Sequence, residues 1–361
     1  MLKAFVPLLC ILAAPAFAFD KGEGKLAMAH VQIQKGVYTK IDSMIVYQDN
    51  KLAIEKYYGR FDADTLHRTH SSFKSITGIL ALIAADQGIL ELDEPVLPLL
   101  AQFADVPSSD PRREEITVNN LLDMTSGLDC DEAPQSAGPS HEEGVDEGPT
   151  PLLYSLGINM ARTPGSEWHY CSANSFMLAA TVSAALERAG KPDIFNFADN
   201  FLMAPLGITN YRLTRSASGK YLNGQGNSYF RPLDLARIGL LVLNKGKWDG
   251  KQIVSEKSIA RLYHAKETVN WPWTDTIANH PLTASHYSAQ WYQTEFDVDG
   301  IKVPVTHSWG NGGQFIFVAP TINLVAVFTG SNQGSRHIKL QKQPFNIMHK
   351  YILPRIVGQR H

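Results

Sequence analysis

Apolar and polar positions change their period along the chain, and the changes outline its elements. Ile41-Asp42-Ser43-Met44-Ile45-Val46-Tyr47 and Leu52-Ala53-Ile54-Glu55-Lys56-Tyr57-Tyr58 are rich in β-branched and aromatic residues. The turn-forming cluster Gln48-Asp49-Asn50-Lys51 separates them, so the pair predicts a β-hairpin. From Ser71 onward Phe73, Ile76, Ile79, Leu80 and Ile83 recur at spacings of three and four, the pattern of a helix ending near Gly88. The middle of the chain carries helical patterns broken by loops, notably residues 129–149, rich in Pro, Gly, Ser and acids. Pro232 to Leu243 carries a helical stripe, and β character returns over residues 290–298, 313–318 and 324–329 before a last helical pattern over 335–352. Strand patterns at the two ends with helices between them predict an α/β (α+β) unit. Its sheet is assembled from residues 19–70 and 285–361, and residues 71–284 form a mainly helical insertion.

The first residues place Lys3 before an apolar run that ends in Ala16-Phe17-Ala18, the small-x-small pattern read by a signal peptidase. Cleavage after Ala18 and export to the periplasm or medium are expected. Cys10 follows the bulky Leu9, whereas lipid attachment calls for a small residue there. No segment approaches the roughly 20 apolar residues of a membrane span, so no stable membrane anchor is expected. Export changes the meaning of the cysteines. Of the 3 in the chain, Cys130 and Cys171 remain after cleavage, and in an oxidising compartment they either bridge or stay as separate buried thiols. The hydrophobic content of 44% suffices for a large core. Lys+Arg 33 against Asp+Glu 35 leaves a net charge of -2, which supplies no basic field for nucleic acid.

Candidate chemistry centres on His70-Ser71-Ser72-Phe73-Lys74-Ser75, where extended chain gives way to helix. Residues at i and i+3 share a helix face, so the Lys74 ammonium can reach the Ser71 hydroxyl. A serine at a helix N-terminus meets unpaired amides and the positive end of the dipole, both favourable to a developing oxyanion. A neighbouring lysine serves as base where burial and neighbours lower its pKa. Taken alone, the same pair also describes a capping serine beside a surface lysine. Glu142, Glu143, Asp146 and Glu147 show no metal-ligand spacing and read as a solvated loop. The 12 histidines show no H-E-x-x-H, so neither metal nor organic cofactor is implied.

Context decides between the two readings of Ser71. Thr125-Ser126-Gly127-Leu128 follows the helix, Pro164-Gly165-Ser166-Glu167-Trp168-His169-Tyr170-Cys171-Ser172 comes next, and His307-Ser308-Trp309-Gly310-Asn311-Gly312-Gly313 precedes a β-run. In this order, with S-x-x-K first, they resemble the motifs of the serine β-lactamase and penicillin-binding-protein superfamily, including class C β-lactamases, their esterase relatives and nylon-oligomer hydrolases. Arg231-Pro232-Leu233-Asp234-Leu235-Ala236 and residues 312–320 extend the resemblance over nearly the whole mature chain. It implies a mostly antiparallel central sheet flanked by helices, with Ser71 as nucleophile, Lys74 as its partner, and Tyr170 as the second acid or base. It further implies an oxyanion hole from the Ser71 N–H and a second donor near Gly310.

Two departures shape the expected substrate. Ser172 stands where class C β-lactamases have Asn, which is similar to hydrolases of linear amides. Aligned on the third motif, His307 replaces the lysine that attracts a β-lactam or D-alanyl carboxylate, and Trp309 replaces the glycine. A neutral histidine holds that anion less firmly. His307 is read as a substrate contact or strand support, and Cys171 as structural or bridged rather than nucleophilic. The expected activity is therefore a carboxylesterase or amidase acting on a small ester or amide through an acyl-enzyme. A β-lactamase or D-alanyl-D-alanine carboxypeptidase is the alternative on the same fold, and a non-catalytic binding relative the alternative outside enzymes.

Overall fold

A computed structural model describes residues 21–103, 110–130, 132, 151–269, 285–333 and 338–358. The leader, the acids of 142–147 and residues 270–284 lie outside the described residues. The elements that position the site begin with helix α1 (Lys21–Gln34), strands β1 (Ile41–Gln48) and β2 (Lys51–Tyr57), and helix α2 (Phe73–Asp86). Helices α3 (Ser172–Arg188) and α4 (Pro232–Leu243) follow. The chain then runs through β3 (Glu267–Thr268), β4 (His286–Ser288), β5 (Trp291–Val298), β6 (Ile301–Gly310), β7 (Gln314–Ala319) and β8 (Leu324–Gly330). Short helical pieces from Ile338–Gln341 to Leu353–Val357 end it, in place of the single helix that the pattern over 335–352 suggests.

These strands form one 8-stranded sheet in the order β2-β1-β8-β7-β6-β5-β4-β3, and every neighbouring pair is antiparallel. The sheet is thus built from both ends of the chain, as expected, with one correction: β3 falls inside the stretch read as helical insertion and closes the far edge. β7 and β8 are buried along their whole length, which is why they read as apolar runs without alternation. On one face Ile45, Ile316, Val318, Val325 and Val327 join a core shared with α2, α3 and α4. On the other, Met44, Phe315, Phe317 and Phe328 pack with Leu26 of α1 and with Phe345 and Ile352 near the C-terminus. The helical insertion is continuous with the sheet through the first core rather than a separate body.

α2 is buried from Phe73 through Ala84, with the polar Lys74, Ser75 and Thr77 in its first turns, the behaviour of a central helix. Gly78 lets it pass against the turn before β5, since a Cβ there would lie 2.3 Å from the Ala289 carbonyl oxygen. The fully buried Gln290 on that turn ties the parts together. Its amide nitrogen donates to the carbonyls of Leu121 (2.7 Å) and Leu122 (3.1 Å), its side-chain oxygen accepts from Ser175 Oγ (2.5 Å), and its backbone carbonyl accepts from Ser75 Oγ (2.7 Å). Cys130 and Cys171 are bridged, with Cα atoms 5.5 Å apart across a sequence separation of 41. The disulfide alternative of the sequence reading is the one the fold realises.

Near the start of β1, Asp42 and His67 are both buried, with Nδ1 and Oδ2 3.6 Å apart. The separation suits an ion pair, but it exceeds hydrogen-bond reach, and burial drives each group toward its neutral form. Burial pushes Asp42 up to about 6, partly offset by the hydrogen bond from Ser331 Oγ, and pushes His67 down to about 4. The raised carboxyl favours folding at low pH, and that contribution is lost between 3.8 and about 6. The lowered histidine acts oppositely, since its contribution is full above 6.5 and lost as pH falls toward about 4. The two slopes cancel in the shared window. Urea denaturation of the wild type should therefore show little pH dependence from this pair between about pH 4 and 6, whereas Asp42→Asn should gain stability with rising pH there. Between about pH 3 and pH 8 the variant should gain up to about 3 kcal/mol on the wild type, the change expected when the buried carboxyl of the wild type ionises. Parallel profiles for the two proteins would contradict this account.

Candidate active site

Ser71 lies in the one-turn 3-10 helix His70–Ser72 that leads into α2. His70, immediately before it, holds φ at 47°, a left-handed conformation that a non-glycine residue keeps only where its surroundings enforce it. Two contacts do so. Thr69 donates its backbone N–H (2.9 Å) and its hydroxyl (2.7 Å) to the Ser228 carbonyl. Gly226 presses against His70, where an added Cβ would stand 3.0 Å from the His70 carbonyl carbon and oxygen.

Lys74 follows one turn later and is 2% exposed. Its Nζ donates to Ser71 Oγ at 2.9 Å and to the Gln225 carbonyl oxygen at 2.8 Å, and it stands 5.2 Å above the Tyr170 ring. The structure thus brings Ser71, Lys74 and Tyr170 together, although 96 residues separate Lys74 from Tyr170 in sequence. The segment around Gln225 is a component that sequence reasoning missed. Gly224 lets it slip between α2 and α3, because a Cβ there would meet the Ser175 carbonyl oxygen at 2.4 Å and Ala179 Cβ at 2.6 Å. Thr77 Oγ1 clasps the Gly224 carbonyl at 2.8 Å. The Asn-Gly-Gln-Gly-Asn run at 223–227 is the signal that could have found it, since two glycines within five residues mark a tight turn or a close backbone approach.

Tyr170 is held by a different part of the chain. Thr125-Ser126-Gly127-Leu128 anchors the run leading to it: the N–H of Gly165 donates to the Thr125 carbonyl (2.7 Å) and that of His169 to the Met124 carbonyl (2.9 Å). After Tyr170 the disulfide and the start of α3 take over. Ser172, expected among the substrate contacts, is fully buried and spends its hydroxyl on Glu132 Oε2 (2.8 Å), while its backbone N–H donates to Glu132 Oε1 (2.5 Å). A carboxylate at the first N–H of α3 satisfies an orphan donor and opposes the helix dipole. Glu132, read as part of a solvated loop, is therefore a neighbour of the site. The Cys130–Cys171 bridge places residue 132 beside 172, which is how sequence reasoning could have reached it.

The third motif needs a correction of register. Neighbouring positions on β6 face opposite sides of the sheet. His307 points into the layer of α1 and the C-terminal helices, fully buried, with its ring stacked 5.5 Å from Tyr292 and edge-on to Phe345. Its Nε2 pairs with Thr294 Oγ1 at 3.0 Å, and burial pushes it down to about 3. A side chain with no exposed surface touches no substrate, so His307 supports the strand. Trp309 lies on the same face, against Phe315 and beneath Lys342 Nζ at 5.0 Å. The residue aimed at the Ser71 turn is Ser308, whose Oγ lies 2.6 Å from Ser72 Oγ and accepts the Ile316 N–H at 3.0 Å. Gly310, not Trp309, occupies the glycine position, since a Cβ there would strike the Thr69 carbonyl oxygen at 2.3 Å and the Ser72 nitrogen at 2.8 Å. Gly310 is thus where the strand end meets the Ser71 turn. Among the described residues, Cys130, Glu132 and Cys171 are the cluster with metal-ligand proximity, and the disulfide consumes both sulfurs.

A family model described as Beta-lactamase matches residues 35–341. The 6-aminohexanoate-dimer hydrolase of Paenarthrobacter ureafaciens is 24% identical over 287 residues, which span 75% of this chain and 69% of that protein. The solved structure of a putative 6-aminohexanoate-dimer hydrolase from Bacillus anthracis superposes with a TM-score of 0.69 at 17% identity, covering 91% of this chain and 82% of that one. A family VIII carboxylesterase does so with a TM-score of 0.62 at 14% identity, covering 91% and 98%. At these identities the structural likeness speaks for the fold, while the family model spans most of the sequence and with it the Ser71, Tyr170 and Gly310 regions. The chain belongs to the beta-lactamase family and is a serine hydrolase.

Proposed function

We propose that this protein is an exported carboxylesterase or linear-amide hydrolase that forms an acyl-enzyme on Ser71. The observation that carries the reading is the Lys74 Nζ at 2.9 Å from Ser71 Oγ, at the N-terminus of a buried helix and over the Tyr170 ring. With its amine neutral, Lys74 takes the Ser71 proton as Oγ attacks the carbonyl carbon. The oxyanion forms at the start of α2, where backbone N–H groups and the helix dipole favour negative charge. Tyr170 hands a proton to the departing alcohol or amine, and then draws one from the water that attacks the acyl carbonyl. Ser71 is released with its proton restored.

Ester or amide is preferred over β-lactam because no lysine stands on β6 at the turn. Ser308 fills that place with a neutral hydroxyl already bonded to Ser72, and His307 is sealed in the core. Hydrolase and carboxylesterase names among the relatives agree with this preference. Export is supported by the Lys3 to Ala18 leader and by the disulfide, a bond of oxidising compartments. No helix among the described residues is long and apolar enough to cross a membrane.

A fluorophosphonate probe should label the wild type and leave Ser71→Ala unlabelled, and 4-nitrophenyl acetate hydrolysis should fall at least about a thousandfold in Ser71→Ala and Lys74→Met. Tyr170→Phe should lose about a hundredfold or more. Nitrocefin turnover matching ester turnover would reject the ester and amide assignment, and an active Ser71→Ala would reject the nucleophile. Protein recovered outside the cytoplasm should begin at Phe19, as read by N-terminal sequencing. Cys130→Ser/Cys171→Ser removes the tether of Glu132, and should lower thermodynamic stability by about 2–5 kcal/mol in urea titrations. It should also reduce kcat more than it raises KM. An unchanged kcat would mean that the tether does not position Tyr170.

A further inference from the structure

Beside the nucleophile turn lies a basic cleft that the reaction described above leaves unused. Strands His67–Arg68, Tyr229–Phe230 and Tyr211–Arg212 form a three-stranded ribbon in which Arg68 and Arg212 both pair with Tyr229, from opposite sides. Paired residues share a face of a sheet, so the two arginine positions flank Tyr229 on one face. Arg212 lies 3.9 Å over the Tyr229 ring, Arg215 lies 3.7 Å over Phe195, and Arg68 donates Nε–H to Asn227 Oδ1 at 2.7 Å. Together with Asn223, Asn227 and Tyr229 these arginines line a cleft of about 640 Å³.

No carboxylate lines this cleft, and among the described residues none forms an ion pair with Arg68, Arg212 or Arg215. Arg112, Arg162, Arg188, Arg231, Arg237 and Arg261 all have acidic partners. Three formal positive charges concentrated in a concavity of a chain with net charge -2 form a local field that attracts an anion. The rings and Asn227 hold the guanidinium planes in place while leaving N–H donors to spend, and a guanidinium fork matches a carboxylate in bidentate geometry. The cleft adjoins the chemistry through its own backbone. The segment that supplies Asn223 and Asn227 also supplies the Gln225 carbonyl to Lys74, and Arg68 stands three residues before Ser71.

We propose that this cleft binds a carboxylate carried by the acyl part of the substrate, so that the preferred ester or amide is an anionic one, such as a half-ester or half-amide of a dicarboxylic acid. The proposal deepens the acyl-enzyme reading and rests on Ser71 being the acylated group. Hydrolysis of the mono-4-nitrophenyl ester of glutaric acid should be compared with that of 4-nitrophenyl pentanoate, which has a similar chain without the charge. At low salt the ratio of kcat/KM values should favour the anionic ester by about tenfold or more, and should shrink in about 0.5 M NaCl as the charges are screened. Arg212→Gln/Arg215→Gln, both at exposed positions, should bring the ratio toward one. A ratio near one in the wild type, or a ratio that the double variant leaves unchanged, overturns the proposal.

Calorimetric titration with glutarate is the second arm and does not depend on turnover. Saturable binding that is lost in the double variant supports the cleft, and no binding by the wild type counts against it. Sulfate bound as tightly as glutarate, without preference for the anionic ester, would make this a site for inorganic anions and overturn the substrate assignment. Absence of both ester hydrolysis and Ser71 labelling would defeat the acyl-enzyme reading instead, while the glutarate titration still decides whether the cleft takes a carboxylate.

Discussion

The site hangs on the joint between the end of β6 and the turn that carries Ser71. Ser72 and Ser308 share a buried hydrogen bond of 2.6 Å, and the Ile316 N–H adds a third member at 3.0 Å. Each hydroxyl would be costly to bury alone, and together they satisfy one another. The joint exists only because Gly310 has no side chain: any Cβ would overlap the Thr69 carbonyl and the Ser72 nitrogen. The Ser71 turn and the strand end are therefore tied as one body. A displacement of about 1 Å between them would be expensive, since catalytic geometry depends on groups preorganised around the reacting carbon.

The remaining members of the site are positioned by other pieces of chain, and each anchor reaches back to that joint. Lys74 is held by the Gln225 carbonyl, on a segment that the Gly224 contact with α3 and the Gly226 contact with His70 force close to α2. The same segment accepts the Thr69 hydrogen bonds through Ser228 and so braces the turn from behind. Gln290 joins α2 to α3 and to the chain before Met124, where the run leading to Tyr170 is in turn held by Met124 and Thr125 carbonyls. Strain in His70 is sustainable because the surrounding backbone is fixed from several directions.

How much of this was legible follows from how local each interaction is. The hairpin, α2 and the Ser71–Lys74 pair depend on neighbours within a few residues, and the period of apolar positions displays such neighbours directly. Tyr170 and Gly310 were placed by the order of motifs, which carries long-range information that periodicity lacks. Register on β6 was not legible. Residues 305–310 are buried on both faces, so no polar alternation distinguishes the side of His307 from that of Ser308, and a shift of one residue inverts every assignment. Ser172 was misjudged for a related reason, because its partner Glu132 comes from a loop 40 residues away that is brought near by the disulfide. Gln225 contributes through its backbone, and a backbone carbonyl leaves no mark in residue type.

The division of labour has a consequence for how such a chain can change its substrate. The groups proposed to act on the scissile bond are tied to α2, α3 and β6, whose packing is continuous with the core shared by the sheet and the helices. The arginine cleft sits instead on a ribbon of two-residue strands, with its charged side chains at the surface and its ring platforms at Tyr229 and Phe195. Substitution at Arg212 or Arg215 alters the field over the cleft without touching the hydrogen bonds that hold Ser71, whereas substitution at Gly310 or Ser308 disturbs the Ser71 turn itself. In the proposed reading, specificity is thus physically separable from reactivity, and Arg68 is where the two meet, since its strand runs directly into the turn that begins α2.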